Sequence, residues 1–307
     1  MRRRLVTLGA VIAGLGVVIA AVLFTLDYLA DPPTSSCNAP SPSFGQATTV
    51  LSHQEVAVRY TCEGAIQAGT LYLPTRAGPH PAVIWVHGAG PEVRLRYGAF
   101  VATLVDAGIA MFSYDKRGVG ESQGSCCPGD NGHFNLLSAD VAGAVAALAS
   151  RADVRADRIG LMGASQAGWI APKAATMSGK IAFIALASAT PLTERLTNLY
   201  ERLARGDEGQ LSREEISRRL ASNGPSGFDP LPYWRQTNAP SLWMFGTVDD
   251  RIPVPESVAQ LDQLKKEGKD VTSITFLGAG HGLLDTPPSN PDAPGTLVDW
   301  ILNRVRS

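Results

Sequence analysis

Hydrophobic and polar positions fall into two patterns that take turns along most of the chain. Residues 55–60 alternate apolar and polar, and residues 66–73 do so again after a turn at Glu63-Gly64, which predicts an antiparallel pair. Residues 81–87, PAVIWVH, form a continuous apolar run of the kind found in a central strand buried on both faces. Further short apolar runs at 109–114, 159–162, 181–186, 242–245 and 271–277 predict strands. Between them, residues 97–107, 136–150, 166–177, 255–267 and 294–304 read as helices. Strands alternating with helices of this length predict an α/β fold, a mostly parallel sheet covered on both faces.

One stretch breaks the alternation. Between Pro191 and Pro240 no strand-like run occurs, and a structureless loop of about fifty residues is improbable in a compact domain. Two charged helical stretches, 193–205 and 212–220, and a Gly/Pro segment, 223–232, predict a helical lid spanning about 190–239. Its apolar residues Leu196, Leu199, Tyr200, Phe228, Tyr233 and Trp234 are expected either to line a substrate pocket or to hold the lid together.

The start of the chain differs from the rest. Met1-Arg2-Arg3-Arg4 precedes an uncharged run from Leu5 to Leu26 that is long enough to span a bilayer. It is longer than the usual ~7–15-residue core of a cleavable signal, so residues 1–30 read as an uncleaved signal anchor in preference to a signal peptide. The arginines place the N-terminus inside and the body outside. Residues 31–49, rich in Pro and Ser at first, read as a linker to a domain over 50–307.

Composition narrows the class. With 307 residues, 18% charged and a net charge of −1, the chain has ordinary globular composition and no electrostatic footprint for nucleic acid. Nothing in it specifies an oligomeric state. Its four cysteines, Cys37, Cys62, Cys126 and Cys127, suit disulfides in an exported protein. A bond between adjacent Cys126 and Cys127 is strained, so at least one of them is expected to reach Cys62 or Cys37. No zinc-type spacing is present, and neither a metal nor a cofactor is expected.

The candidate chemistry sits at the strand ends. Gly163-Ala164-Ser165-Gln166-Ala167-Gly168 places a serine between a strand and a small-residue helix, the turn that lifts a hydroxyl out of the backbone. A serine is a weak nucleophile and needs a base. His281, in Gly278-Ala279-Gly280-His281-Gly282, is the candidate, with glycines letting its loop approach the serine. His53, His80 and His133 read as surface residues. Two adjacent acids, Asp249 and Asp250, follow the 242–245 strand as candidates to orient the base. Asp115 reads as a turn residue.

Together, HGAGP (87–91), YDKRGVGES (114–122), GASQAGW (163–169), FGTVDDRIP (245–253) and GAGHG (278–282) resemble the α/β-hydrolase family over roughly 50–307. More narrowly, KRGVG with GASQAGWIAP is similar to exported serine hydrolases grouped with serine aminopeptidases, acyl esterases and acyl-CoA thioesterases. The resemblance implies an eight-stranded sheet, a triad of Ser165, Asp249 and His281, a supporting role for His87 in its own loop, and an oxyanion hole from the N–H groups of Ala89 and Gln166, with Gly90 the alternative to Ala89. Asp249 is preferred because the family pattern G-x-x-D-x-x-(V/I)-P falls in register on Gly246, Asp249, Ile252 and Pro253, which leaves Asp250 solvated or paired with Arg251. It also implies that the second strand runs beside the fourth, which brings Cys62 near the loop after Asp115. A Cys62 bond to Cys126 or Cys127 is therefore expected, with Cys37 taking the remaining partner. The activity expected is hydrolysis of a small-molecule ester, thioester or amide. Acyl transfer, aminopeptidase action and a non-catalytic binding role are the alternatives, and substrate contacts are not readable.

Overall fold

The computed structural model of the chain describes residues 37, 42–125, 131–179, 181–285 and 287–306. Two short strands, β1 (Ser43–Phe44) and β2 (Thr48–Val50), lead into a hairpin of β3 (His53–Cys62) and β4 (Ala65–Pro74). Alternation then begins with β5 (His80–Val86), α1 (Ala99–Asp106), β6 (Ala110–Tyr114), α2 (Asn131–Ala149), β7 (Val154–Ala164), α3 (Ala167–Ser178) and β8 (Ile184–Ala187). Three helices follow, α4 (Glu194–Ala204), α5 (Arg213–Asn223) and α6 (Leu231–Gln236). The pattern resumes with β9 (Ser241–Gly246), α7 (Val254–Lys266), β10 (Val271–Phe276) and α8 (Ala293–Arg306).

The strand order is β1-β3-β4-β6-β5-β7-β8-β9-β10, with β2 also on β3. β4 runs antiparallel to both of its neighbours, β3 and β6, and every pair from β6 onward is parallel. The eight strands from β3 to β10 are those expected, and β4 does lie beside β6. The β3–β4 turn carries Glu63 and Gly64 at φ 45° and 72°, the left-handed pair that a two-residue hairpin needs. One core packs α2, α3 and α7 on one face of the sheet, and a second packs α1 and α8 on the other.

Several expectations are corrected. The described part of the 31–49 linker is joined to the sheet, because β1 and β2 satisfy the open edge of β3. Cys62 is bonded to Cys37, so the expected bond to Cys126 or Cys127 does not form. The loop after Asp115 does share an end with Cys62, but what reaches it is Arg117, whose guanidinium donates to the Cys62 carbonyl at 2.9 Å. Arg117 also forms a buried ion pair with Asp140. Cys126 and Cys127 lie outside the described residues, as does the apolar run 5–26. Among the described residues no helix is long and apolar enough to cross a membrane.

His53, His80 and His133 are buried, not on the surface. His53 stacks on Tyr97 with ring centroids 3.5 Å apart and lies 3.0 Å from Glu55 Oε1. His80 approaches the Arg76 carbonyl at 3.1 Å, and burial lowers its pKa. The insertion between β8 and β9 contains a third helix, α6, which starts at the end of the 223–232 Gly/Pro segment and was not expected. Phe228 and Trp234 are part of the main core, Tyr233 packs against it, and the Trp234 indole donates to the Gly168 carbonyl at 3.3 Å. Tyr200, Leu196 and Leu199 belong to a small separate cluster between α4 and α5.

Candidate active site

Ser165 stands at the junction of β7 and α3 with φ 55°, a left-handed backbone that a non-glycine residue adopts at a cost of about 1–3 kcal/mol. The surroundings enforce it. Its N–H donates to the Ala187 carbonyl at 3.1 Å, and its carbonyl accepts from Gly168 N–H at 3.1 Å. A Cβ at Gly163 would collide with the Val86 carbonyl and meet the Ala167 methyl at 2.7 Å, so only Ala167 can carry a methyl there. The close approach to the segment after β8 falls at Gly168, whose Cβ would sit 2.7 Å from the Thr190 carbonyl. That displacement explains how alanine stands where the motif usually has glycine.

Asp249 and His281 come together at the ends of β9 and β10. His281 Nδ1 lies 2.9 Å from Asp249 Oδ2 and 3.1 Å from Oδ1. A carboxylate only accepts, so Nδ1 carries the proton and Nε2 is left as the acceptor. Asp249 is buried, and its Oδ1 also accepts from the N–H groups of Arg251 at 2.8 Å and Ile252 at 3.0 Å. Asp250 instead points outward and pairs with Arg205 at 3.7 Å, while Arg251 pairs with Glu201, not with Asp250.

The histidine loop is seated on the acid loop. Val248 N–H donates to the Ala279 carbonyl at 3.0 Å, and Thr247 Oγ1 accepts from Gly278 N–H at 2.8 Å. The glycine that permits this approach is Gly246, where a Cβ would collide with the Ala279 carbonyl; nothing stands within 4 Å of a Cβ at Gly278 or Gly280. From the end of β8, Ser188 Oγ donates to the His281 carbonyl at 2.6 Å, tying the histidine to the strand beside the serine. No hydrogen bond joins Ser165 Oγ to His281 among the described residues.

Ala89 lies in the loop after β5 and Gln166 opens α3, where backbone N–H groups are unpaired. Gly88 is close to Ser165, since a Cβ there would stand 3.8 Å from the Ser165 Cβ. His87 supports the loop as expected, with Nε2 2.5 Å from the Tyr114 carbonyl and Nδ1 3.0 Å from Glu92 Oε2. Sequence reasoning missed Lys116, whose ammonium donates to the Gly88 carbonyl at 2.6 Å, the Gly90 carbonyl at 2.9 Å and Gln166 Oε1 at 2.9 Å. Burial lowers its pKa to about 8, against the opposing pull of Glu92.

Asp115 closes the adjoining turn. It accepts from Arg94 and from Glu121 N–H, and Ser122 Oγ donates to its carbonyl. A groove of about 280 Å³ on the insertion, lined in part by Arg195, Leu196, Leu199 and Arg202, includes none of the candidate site residues.

The sequence model of the prolyl oligopeptidase family matches residues 99–307, well over half of the chain. The chain belongs to the prolyl oligopeptidase family. Membership makes it a serine hydrolase with the α/β-hydrolase fold, and the match covers Ser165, Asp249 and His281 but begins after Ala89. No curated protein matches the chain by sequence.

Solved structures agree with the fold of a prolyl oligopeptidase family member. Acetyl xylan esterase 1 from Thermoanaerobacterium sp. JW/SL YS485 is similar at a TM-score of 0.62 and 19% identity, covering 87% of this chain and 89% of that one. An esterase from Pyrococcus furiosus is similar at 0.61 and 16% identity, over 87% and 97%. Acylaminoacyl peptidase from Pyrococcus horikoshii is similar at 0.63 and 19% identity, over 82% of this chain and 41% of that one.

Proposed function

We propose that the protein hydrolyses a carboxylic ester through an acyl-enzyme on Ser165. The observation that carries the reading is the His281 Nδ1 contact with buried Asp249 at 2.9 Å, on loops beside a serine held at φ 55°. In this scheme His281 Nε2 takes the Ser165 proton as Oγ attacks the ester carbonyl. The resulting oxyanion is held by the N–H groups of Ala89 and Gln166. Collapse breaks the bond to the alkoxy oxygen, which leaves as an alcohol with the proton from His281. Water then attacks the acyl-enzyme, giving its proton to His281, and the acid departs as Ser165 is restored.

Ester chemistry is favoured over release of an N-terminal amino acid because the sequence shows no dedicated acidic cluster to anchor a free amine. Among the described residues Glu92, in the loop after β5, has one oxygen engaged by His87 and by Gly88 N–H. The similar acetyl xylan esterase and Pyrococcus furiosus esterase support this reading. Amide hydrolysis is the second reading, favoured by the family's name and by the similar acylaminoacyl peptidase. Labelling with a fluorophosphonate, lost in Ser165→Ala, tests the nucleophile, and nitrophenyl esters run beside aminoacyl amides separate the two readings. No labelling of a folded wild type would overturn both.

We further propose that the insertion acts as a lid and that the body works outside the cytoplasm, held by residues 1–30. The Cys37–Cys62 disulfide supports an oxidising compartment. Cell fractionation decides the second point: protein confined to the soluble cytoplasm, with both thiols alkylatable, would contradict it.

A further inference from the structure

Lys116 has no exposed surface. A buried lysine is costly, and in most proteins it is neutralised by a carboxylate. Here the three partners of Nζ are two main-chain carbonyls and an amide oxygen, drawn from two different loops. An ammonium has three N–H donors and the site offers three acceptors, so the charged form satisfies all of them.

The identity of those acceptors matters. A peptide unit is planar and trans, so its carbonyl and N–H point in opposite directions. The Gly88 carbonyl shares its peptide unit with the Ala89 N–H. By holding that carbonyl, Lys116 fixes the Ala89 N–H to point away from itself. The bond to Gly90 anchors the far side of the same turn. The bond to Gln166 Oε1 fixes the side chain of the residue that supplies the second N–H. One cation therefore joins the two loops that would bind the oxyanion, and its charge polarises the Gly88–Ala89 peptide toward a stronger donor.

We propose that Lys116 is the positioning residue of the oxyanion hole, clamping the Ala89 loop to the start of α3 and selecting Ala89, not Gly90, as the first donor. The inference rests on the reading of Ser165 as nucleophile. The charged group facing Lys116 from the loop after β5 is Glu92, with His87 in the same loop; Gln166, from α3, carries no charge; and Asp115 and Arg117 flank it in sequence. Above about pH 8 Lys116 loses a proton and with it one of three donors.

Lys116→Met keeps the stem and removes the charge. With nitrophenyl esters we expect kcat to fall about 10²-fold while KM stays within about threefold, because the donors act on the transition state. A folded variant with kcat within about threefold of wild type, or a loss wholly in KM, overturns the proposal. A second readout needs neither the variant nor activity. In the wild type the backbone amide resonances of Ala89 and Gln166 should titrate together near pH 8, in step with the Lys116 side chain. Independent or absent titration overturns the clamp, and this measurement decides if Lys116→Met does not fold. A wild type that neither labels nor turns over would sink the nucleophile reading instead, leaving the clamp to be judged on the amide titration.

Discussion

The Tyr200 hydroxyl donates to the main-chain carbonyl of Asp249 at 2.9 Å, so the first helix of the insertion is tied to the residue that orients His281. Arg213 in turn donates to the Tyr200 oxygen at 2.6 Å. Tyr200→Phe leaves the buried Asp249 carbonyl without this donor, a loss of about 1–3 kcal/mol. We expect a melting temperature lower by about 3–6 °C and kcat lower by about fivefold. A change in melting temperature with kcat intact would make the contact a strut and nothing more.

Asp249→Asn and Asp250→Asn separate two adjacent acids. The first removes the carboxylate that fixes the His281 tautomer and should lower kcat by about 10³–10⁴-fold, with little change in KM. The second alters an exposed residue paired with Arg205 and should leave kcat within about threefold. Equal losses in both variants would contradict the assignment.

Acid should destabilise the protein partly through Asp115. Burial alone would raise its pKa, but hydrogen bonds from the Arg94 side chain and N–H and from Glu121 N–H outweigh this and hold it at about 2. A carboxyl depressed on folding adds stability above its unfolded pKa near 4, and that stability is lost as pH falls toward 2. Denaturant midpoints measured from pH 5 to pH 2 should fall less steeply in Asp115→Asn than in wild type. Parallel slopes would count against this account.

Removing both half-cystines, Cys37→Ala with Cys62→Ala, should cost about 3 kcal/mol from the larger entropy of the unfolded chain. Peptides mapped without reduction should contain Cys37 joined to Cys62. Cys62 recovered in any other linkage would refute the pairing.

How much of this could be read from the sequence depended on whether the signal was local. The β5 run, the β7–α3 turn and the register from Gly246 to Pro253 each lie within a dozen residues, and each led to its element or candidate residue. Lys116 was missed because a lysine just past a strand end reads as solvated, and its acceptors lie 28, 26 and 50 residues away. His53 failed for the same reason: its burial comes from stacking on Tyr97, beyond the reach of strand periodicity. The seating of the histidine loop on the acid loop depends on Gly246, thirty-odd residues before GAGHG, and was not foreseen, since close approach is a property of two chains and sequence displays one.

The long excursion between β8 and β9 has a consequence for how this protein can be varied. The two strands bond directly to each other, with Ile184 N–H to the Pro240 carbonyl and Ser188 N–H to the Met244 carbonyl fixing their alignment. The α4–α5 part of the bridging chain can therefore change in length or composition without sliding the strands, whereas Phe228 and Trp234 are held in the main core. That part behaves as an exchangeable cassette, joined to the catalytic body through Tyr200 on Asp249, Ser217 on Glu256 and the ion pairs of Arg205 and Glu201. Homologous recombination or deliberate grafting at this joint offers a route to new selectivity that leaves the reacting residues where they stand.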